Sequence, residues 1–214
     1  VQELTSIREY SQALRAQTHE YSNKLHTLAG LIQIGATKEA LELIGRESSG
    51  YNALLRQLSD QIQDPFLSAI IVGKYHRAME LKTELALDPE SWMSNIGHSS
   101  RSEKIVTILG NLLENALEAS ASSGEQKKVC LSMTDVGNEL IFEVEDSGSG
   151  ISEDQQKSIF DEGFTTKTGT GRGIGLQLVQ KNLIQLEGHL TVGESSLGGA
   201  RFTAYIPKTV SKEE

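Results

Sequence analysis

The sequence is poor in cysteine, proline and aromatic residues, and it has no long apolar run. Its 214 residues include one Cys and three Pro, and 5% are aromatic. The single Cys130 excludes an internal disulfide and fits a reducing compartment, and its alternating neighbours predict a strand-core residue rather than a reactive thiol. No stretch has the length of a membrane span, and these residues do not predict a signal peptide. Since Val1 begins in a helical pattern without Met, we expect an excised piece of a longer protein.

Basic residues are also too few for a polyanion-binding surface. The net charge of −9 argues against nucleic acid and anionic membranes as partners. The 37% of apolar residues suffice for the core of one large or two small domains. An acidic chain that binds a triphosphate needs a metal ion or local basic groups.

Residues 1–64 predict an antiparallel hairpin of two amphipathic helices, with the first helix ending at Gly35. The heptad core positions of the first helix are Leu4, Ser11, Thr18, Leu25 and Ile32, with Ile7, Leu14, Tyr21 and Leu28. The second helix repeats the rhythm through Leu41, Ile44, Ser48, Tyr51, Leu55, Leu58 and Ile62. A hairpin buries only one stripe of each helix, so we expect two chains to form a four-helix bundle. Packing on the chain's own C-terminal domain is the alternative.

A domain boundary is predicted at Asp64-Pro65, because the residue before proline leaves the helical region. The expected helices are 66–82, 102–119 and 173–186, and the expected strands are 83–87, 127–134, 139–145, 189–193 and 201–206. Gly137-Asn138 supplies a hairpin turn. Helices segregated from an antiparallel sheet predict an α+β fold for residues 65–214, with one layer of each.

The segment Asp146–Gly150 reads DSGSG and follows a predicted strand. A carboxylate at a strand end can accept the exocyclic amine of adenine, and Gly148 and Gly150 would let a base approach the backbone. Taken alone, such a string is more often a turn than a ligand site.

A second glycine cluster, GTGRGIGL over Gly169–Leu176, leads into a predicted helix. Its glycines are Gly169, Gly171, Gly173 and Gly175. Backbone amides in such a loop suit phosphate oxygens, and Lys167 and Arg172 are either counter-charges or solvated cations. The spacing resembles GxGxxG, but Asp146 precedes the loop and no strand–turn–helix unit surrounds it. We therefore reject a dinucleotide site.

The helix predicted over 102–119 has a polar face beside its core stripe. The polar residues are Asn111, Glu114, Asn115 and Glu118, and the core stripe is Ile105, Ile108, Leu112, Ala116 and Ala119. Asn is a poor helix former, so two of them one turn apart favour a binding role over a solvated face. Their oxygens suit Mg²⁺, which proteins hold with few side chains plus substrate phosphates.

Four motifs in this order resemble the N, G1, F and G2 boxes of sensor histidine kinases. They are Asn-x-x-x-Asn at Asn111 and Asn115, DxGxG, the segment IFDEGFTTK, and GxGxG. The ATP-binding domain of that family shares its fold with DNA gyrase, the chaperone ATPases and MutL, and the resemblance covers residues 66–207.

The resemblance implies an ATP site with Mg²⁺ on Asn115, Asn111 and Glu114 nearby, and adenine on Asp146. The pocket would be shaped by Gly148, Gly150, Gly171, Gly173 and Gly175, and residues 161–172 would form its lid.

Among the five histidines, His19 is the candidate phosphoacceptor. His19 and His26 fall on one outward face of the first helix. Glu20 can take the imidazole proton as the ring nitrogen attacks, and Asn23 lies one turn further along the helix. His26 lacks an adjacent acid, which makes it the weaker candidate.

The segment THEYSNKLHTLAGLIQIG is similar to the hairpin of the citrate and C4-dicarboxylate sensor kinases and resembles the sporulation-type phosphotransferase. The resemblance implies autophosphorylation on His19, transfer to an Asp of a response regulator, and a homodimer. It also implies a cytoplasmic piece of a membrane-anchored sensor, since the family places a transmembrane sensor and a PAS domain upstream.

Three alternatives stay open. The chain could be a Ser/Thr kinase of the anti-sigma type, although the His19-Glu20 hairpin argues against this. It could be a phosphotransferase that no longer binds nucleotide, against which Asp146 and the glycine loops argue. A dimerisation module that binds nucleotide without turnover is the third.

Overall fold

The computed structural model describes residues 26–27, 29–44, 49–97, 99–124, 127–152 and 174–208. Two compact units are present, Val1–Tyr51 and Asn52–Glu214. The helices are α1 (Thr37–Ile44), α2 (Ser49–Gln61), α3 (Pro65–Glu80), α4 (Ser100–Ala121) and α5 (Ile174–Gln185). The strands are β1 (Glu84–Leu87), β2 (Lys128–Thr134), β3 (Glu139–Asp146), β4 (His189–Glu194) and β5 (Ala200–Pro207). No helix within the described ranges is long and apolar enough to cross a membrane.

In the first unit, the predicted helix end at Gly35 is present. Residues 29–33 are helical, and Gly35 takes a φ of +77°. The amide of Ala36 donates to Leu31 O at 2.9 Å and that of Gly35 to Ile32 O at 3.1 Å, which is the Schellman arrangement. The predicted heptad residue Ile32 is 60% exposed. Apolar side-chain surface is therefore exposed close to this helix end.

The second unit contains a five-stranded sheet in the order β1-β2-β3-β5-β4. Every neighbouring pair is antiparallel except β1 and β2, which run parallel. The expectation of a wholly antiparallel sheet is wrong at this edge. The reason is that α4 lies between β1 and β2 in sequence, and a helical crossover returns the chain in the same direction.

The core of the second unit lies between one face of this sheet and the helices. Strand β2 buries Val129, Leu131 and Met133, and β3 buries every second residue from Leu140 to Asp146. Cys130 is only half-buried, so the expectation of a strand-core residue is wrong. The pleat turns its side chain to the sheet face opposite the core. Burial, together with the charges of Asp88 and Glu145, raises the pKa of its thiol, which fits an unreactive residue.

The end of α2 belongs to the second unit. Leu58 and Ile62 are buried in its core, and Ile62 forms a parallel bridge with Met93. Asp64 caps α3 by accepting the amides of Phe66 and Leu67, both at 2.9 Å. The chain passes from one compact unit to the other between Tyr51 and Asn52, upstream of the predicted boundary at Asp64-Pro65. The division into 1–64 and 65–214 stays a prediction.

Candidate functional site

Asp146 ends β3 on the helix-facing side of the sheet and is 2% exposed. Its Oδ1 accepts hydrogen bonds from the amides of Gly148 at 2.8 Å and Ala200 at 3.1 Å. The Gly199 amide donates to the main-chain oxygen of Asp146 at 3.1 Å. These backbone donors hold the carboxylate in one orientation at the end of the central strand.

Glycines make this arrangement possible, because their neighbours leave no space for a side chain. A Cβ on Gly199 would overlap Asp146 Oδ1 and lie 2.5 Å from both Asp146 O and Gly148 N. A Cβ on Gly148 would lie 2.9 Å from the Cβ of Ala119. Ala119 is half-buried against Gly148, so its predicted place in the core stripe is wrong and it borders the site instead.

The polar face of α4 meets the start of α5 at a third glycine. A Cβ on Gly175 would lie 3.1 Å from Asn111 Oδ1 and 3.7 Å from Asn115 Oδ1. The Asn111 Nδ2 donates to Thr107 O at 2.8 Å, which leaves Oδ1 directed towards α5. The structure thus brings Asn111, Asn115 and Gly175 together, with the two amide oxygens facing the same glycine.

Glu114 lies on the side of this face that borders α3. Its Oε2 is 2.5 Å from Lys74 Nζ, and its Oε1 accepts from Arg77 Nε at 3.1 Å. Burial alone would raise the pKa of Glu114, but the hydrogen bonds and charges of Lys74 and then Arg77 lower it overall. Arg77 also pairs with Glu80 at 3.0 Å, so the two cations and two carboxylates of this cluster balance in charge.

Several predicted site residues lie outside the described residues. These are His19, Glu20, Asn23, Lys167, Gly169, Gly171, Arg172 and Gly173, together with the predicted lid 161–172. Of the remaining two, Gly150 takes a φ of +71° and a Cβ there would meet Gly199 O at 3.6 Å. Leu176 packs against the core.

Sequence reasoning missed the part of the site that the β4–β5 turn contributes. Gly199 and Ala200 donate backbone hydrogen bonds to Asp146, but neither residue belongs to a predicted motif. The same is true of Lys74 and Arg77 on α3, which form ion pairs with Glu114. The Gly198-Gly199 pair was a weak signal, because two consecutive glycines in a hairpin turn also suit the turn itself.

Comparisons with known proteins agree with this geometry. Residues 100–210 match the family described as histidine kinase-, DNA gyrase B- and HSP90-like ATPase, and residues 1–53 match the α-helical domain of the SpoOB-type sensor kinases. The sensor protein CitS of Halalkalibacterium halodurans is 45% identical over 99% of this chain and 40% of its own length. The sensor histidine kinase CitA of Klebsiella pneumoniae is 35% identical over 97% of this chain and 38% of its own. The chain thus spans about two fifths of these curated relatives.

Solved structures show the same fold. The catalytic domain of histidine kinase ThkA is 26% identical, with a TM-score of 0.57 over 67% of this chain and 91% of that one. Full-length ShkA in complex with AMPPNP is 26% identical, with a TM-score of 0.55 over 66% of this chain and 29% of that one. These comparisons confirm the predicted fold class of a helical N-terminal region followed by an α/β sandwich. The chain therefore belongs to the histidine kinase-, DNA gyrase B- and HSP90-like ATPases, a nucleotide-binding family, and the relatives that it resembles over nearly its whole length are sensor kinases.

Proposed function

We propose that this chain is the kinase core of a two-component sensor, which phosphorylates itself on His19 from Mg·ATP and passes the phosphoryl group to an Asp of a response regulator. One observation carries the nucleotide part of the proposal. The amide oxygens of Asn111 and Asn115 converge on Gly175, the last glycine of the predicted phosphate loop.

The base end of the nucleotide would lie against Asp146. Two backbone amides orient this buried carboxylate, and a carboxylate accepts hydrogen bonds from the exocyclic amine of adenine. Guanine has a carbonyl oxygen at that ring position, and its own donors, N1–H and the 2-amino group, would reach the carboxylate only if the base turned in the slot. The arrangement therefore supports adenine rather than guanine nucleotides.

The phosphate end would lie along α4 and the loop that precedes α5. The residues fit a Mg²⁺ ion, because two amide oxygens face the same glycine and Mg²⁺ takes oxygen ligands. Asn115 and the phosphates would supply the ligands, since proteins hold Mg²⁺ with few side chains plus substrate phosphates. Bound Mg²⁺ would neutralise charge on the β- and γ-phosphate oxygens. Lys167, Arg172 and the amides of Gly169, Gly171 and Gly173 are proposed to contact the phosphates.

The phosphoryl step transfers the γ-phosphorus to a ring nitrogen of His19. The new N–P bond forms as the bond to the β–γ bridging oxygen breaks, and ADP leaves with that electron pair. Glu20 takes the proton from the imidazole, which keeps the phosphorylated ring neutral. The phosphoramidate is then the donor to the regulator carboxylate, and Asn23 is proposed to assist dephosphorylation of the regulator.

A homodimer is part of the proposal. Ile32 and Leu41, both predicted heptad core residues, are 60% and 50% exposed in a single chain. Pairing with a second hairpin would cover this apolar surface. We further propose that the chain is the cytoplasmic portion of a longer, membrane-anchored sensor, in keeping with its share of its relatives' length.

The test is incubation of the purified chain with γ-labelled Mg·ATP, followed by treatment of the labelled protein with acid and with alkali. We expect a label that acid removes and alkali does not, as for a phosphoramidate. The label should be absent in His19→Gln, whereas nucleotide affinity should match that of the unmodified chain.

The matched control is His26→Gln, because His26 lies on the same predicted face of the same helix and lacks an adjacent acid. It should label normally. Labelling that survives His19→Gln but disappears in His26→Gln would move the acceptor to His26, and an acid-stable label would indicate a Ser/Thr kinase.

A further inference from the structure

The β4–β5 turn, Ser195–Gly199, is held to the end of β3 from both faces of the sheet. Consecutive residues of a strand point to opposite faces, so Glu145 and Asp146 lie on either side of the same backbone. Asp146 is buried on the helix side, and Glu145 is half-buried on the other. Both carboxylates accept hydrogen bonds from this one turn or the residue that follows it.

Glu145 holds the first half of the turn through a single oxygen. Its Oε2 accepts from Ser195 Oγ at 2.8 Å, from Ser196 N at 2.6 Å and from Ser196 Oγ at 2.8 Å. Ser195 is 9% exposed, and its Oγ also accepts the Leu197 amide at 2.9 Å. Three donors on one ionised oxygen fix the turn more firmly than the two-strand ladder alone would.

The turn carries this constraint to its second half, which contacts Asp146. The Ser195 amide donates to Gly199 O, and the Gly198 amide donates to Ser195 O, both at 3.0 Å. The Gly199 amide then donates to the main-chain oxygen of Asp146, and the Ala200 amide donates to its carboxylate. A continuous chain of hydrogen bonds therefore runs from Glu145, through the turn, to Asp146.

We propose that Glu145 is a positioning residue of the nucleotide site, which orients the adenine-binding carboxylate of Asp146 through the Ser195–Gly199 turn. The inference rests on the proposed function, because it needs Asp146 to contact the base. Glu145 lies on the sheet face opposite to Asp146 and would not contact the base.

The chemistry of Glu145 supports this role. Burial alone would raise its pKa, but hydrogen bonds from Ser196 and Ser195, with the charge of Arg201, lower it overall. The carboxylate is thus ionised at neutral pH and accepts hydrogen bonds at full strength. An ordinary surface glutamate would hold no such set of donors.

The test measures binding of Mg·AMPPNP and of the corresponding guanine analogue to the whole chain by calorimetry. Glu145→Gln should bind the adenine analogue about tenfold more weakly, as expected when charge-assisted hydrogen bonds are lost. The ratio of its affinity for the adenine analogue to its affinity for the guanine analogue should also be smaller than in the unmodified chain. A merely structural role would weaken both analogues equally and leave that ratio unchanged.

Glu143→Gln is the matched control. Glu143 is the preceding outward-facing residue of β3, and it accepts Thr203 Oγ1 at 3.0 Å without contacting the turn. Its substitution should leave the affinity ratio unchanged. A second variant, Ser195→Ala combined with Ser196→Ala, removes two donors and keeps Glu145, so it tests the same chain of contacts if Glu145→Gln fails to fold.

The outcomes separate this inference from the proposed function. If Asp146→Asn abolishes binding and Glu145→Gln behaves as Glu143→Gln does, the positioning role is wrong and the nucleotide site stands. If Asp146→Asn leaves adenine binding intact, the assignment of the base end is itself wrong, and the role of Glu145 fails with it.

Discussion

The two ends of the candidate site are built in different ways. At the base end, Asp146 is 2% exposed, three backbone amides fix it, and two glycines pack where no Cβ fits. At the phosphate end, Asn111, Glu114 and Asn115 are only half-buried and depend on side-chain contacts. One end is shaped by backbone and steric exclusion, and the other by polar side chains and charge.

This difference matters because the base and the phosphates of a nucleotide require different kinds of binding group. A planar base needs a fixed acceptor in a narrow slot, which backbone contacts provide. Phosphates and Mg²⁺ need charge and some freedom to adjust ligands, which half-exposed side chains provide. We expect substitutions at the base end to change folding and binding together, and those around Asn111, Asn115 and Gly175 at the phosphate end to change binding with little effect on folding.

The largest effect is expected from Gly199→Ala. The added Cβ overlaps Asp146 Oδ1 and crowds the backbone, so either the turn or β3 must shift. Overpacking of this kind should lower the free energy of unfolding by about 3 kcal/mol and abolish measurable nucleotide binding. Urea denaturation and calorimetry measure both quantities.

Gly193→Ala in the same hairpin is the control for that prediction. A Cβ there would lie 3.6 Å from the Arg201 side chain, an ordinary contact. The variant should keep both stability and binding. Equal behaviour of the two variants would show that the base end is not sterically closed.

Gly175→Ala should separate binding from stability at the phosphate end. Alanine suits a helix better than glycine, so the free energy of unfolding should stay the same or rise by up to about 1 kcal/mol. The new methyl group at 3.1 Å from Asn111 Oδ1 would displace that amide. Affinity for Mg·AMPPNP should therefore fall, roughly fivefold, as a cost of about 1 kcal/mol predicts.

Its control is Gly73→Ala, an exposed helical glycine of α3 with no atom within 4 Å of a new Cβ. This substitution should raise stability similarly and leave affinity unchanged. A loss of stability in Gly175→Ala would contradict the proposed contrast between the two ends.

The smallest effect is expected from Glu114→Gln. The ion pairs with Lys74 and Arg77 are partly solvated, with 30% of the Glu114 side chain exposed, so their loss should cost about 1 kcal/mol at pH 7. Because the pKa of folded Glu114 lies below its unfolded value, this stability is present above the unfolded pKa and is lost as pH falls through the folded pKa. The free energy of unfolding should be measured from pH 7 down to that range. The difference between Glu114→Gln and the unmodified chain should shrink as the pH falls.

Glu80→Gln serves as the comparison for Glu114. Glu80 pairs with Arg77 at 3.0 Å, but its side chain is 67% exposed. Its loss should cost less than about 0.5 kcal/mol at any pH. A cost equal to that of Glu114→Gln would show that Lys74 adds nothing to the Glu114 cluster.

Much of the fold was readable from local patterns. The strand alternation at Val129, Leu131 and Met133 predicted β2 and its buried face, and Gly137-Asn138 predicted the turn before β3. The parallel pairing of β1 was missed, although a strand, a helix and a strand follow one another there. Pairing direction depends on where a crossover returns, which periodicity does not contain.

The sequence predicted residues of the candidate site only where a motif lies within one short segment. Asp146, Asn111 and Asn115 were identified because each sits in a short pattern with a chemical reason. Gly199 and Glu145 were not, since their importance comes from residues about fifty positions away in sequence. Contacts of that separation are set by strand register, and no local pattern reports them.

The sequence by itself determined the elements, the nucleotide motifs and the candidate phosphoacceptor, because each depends on side-chain chemistry at short spacing. Only the tertiary structure showed that the β4–β5 turn closes the base end, that Glu114 pairs with α3, and that Gly175 faces the two asparagines. The physical reason is the same in each case. These contacts join segments that sheet register and helix packing bring together, and their geometry is a property of the assembled core.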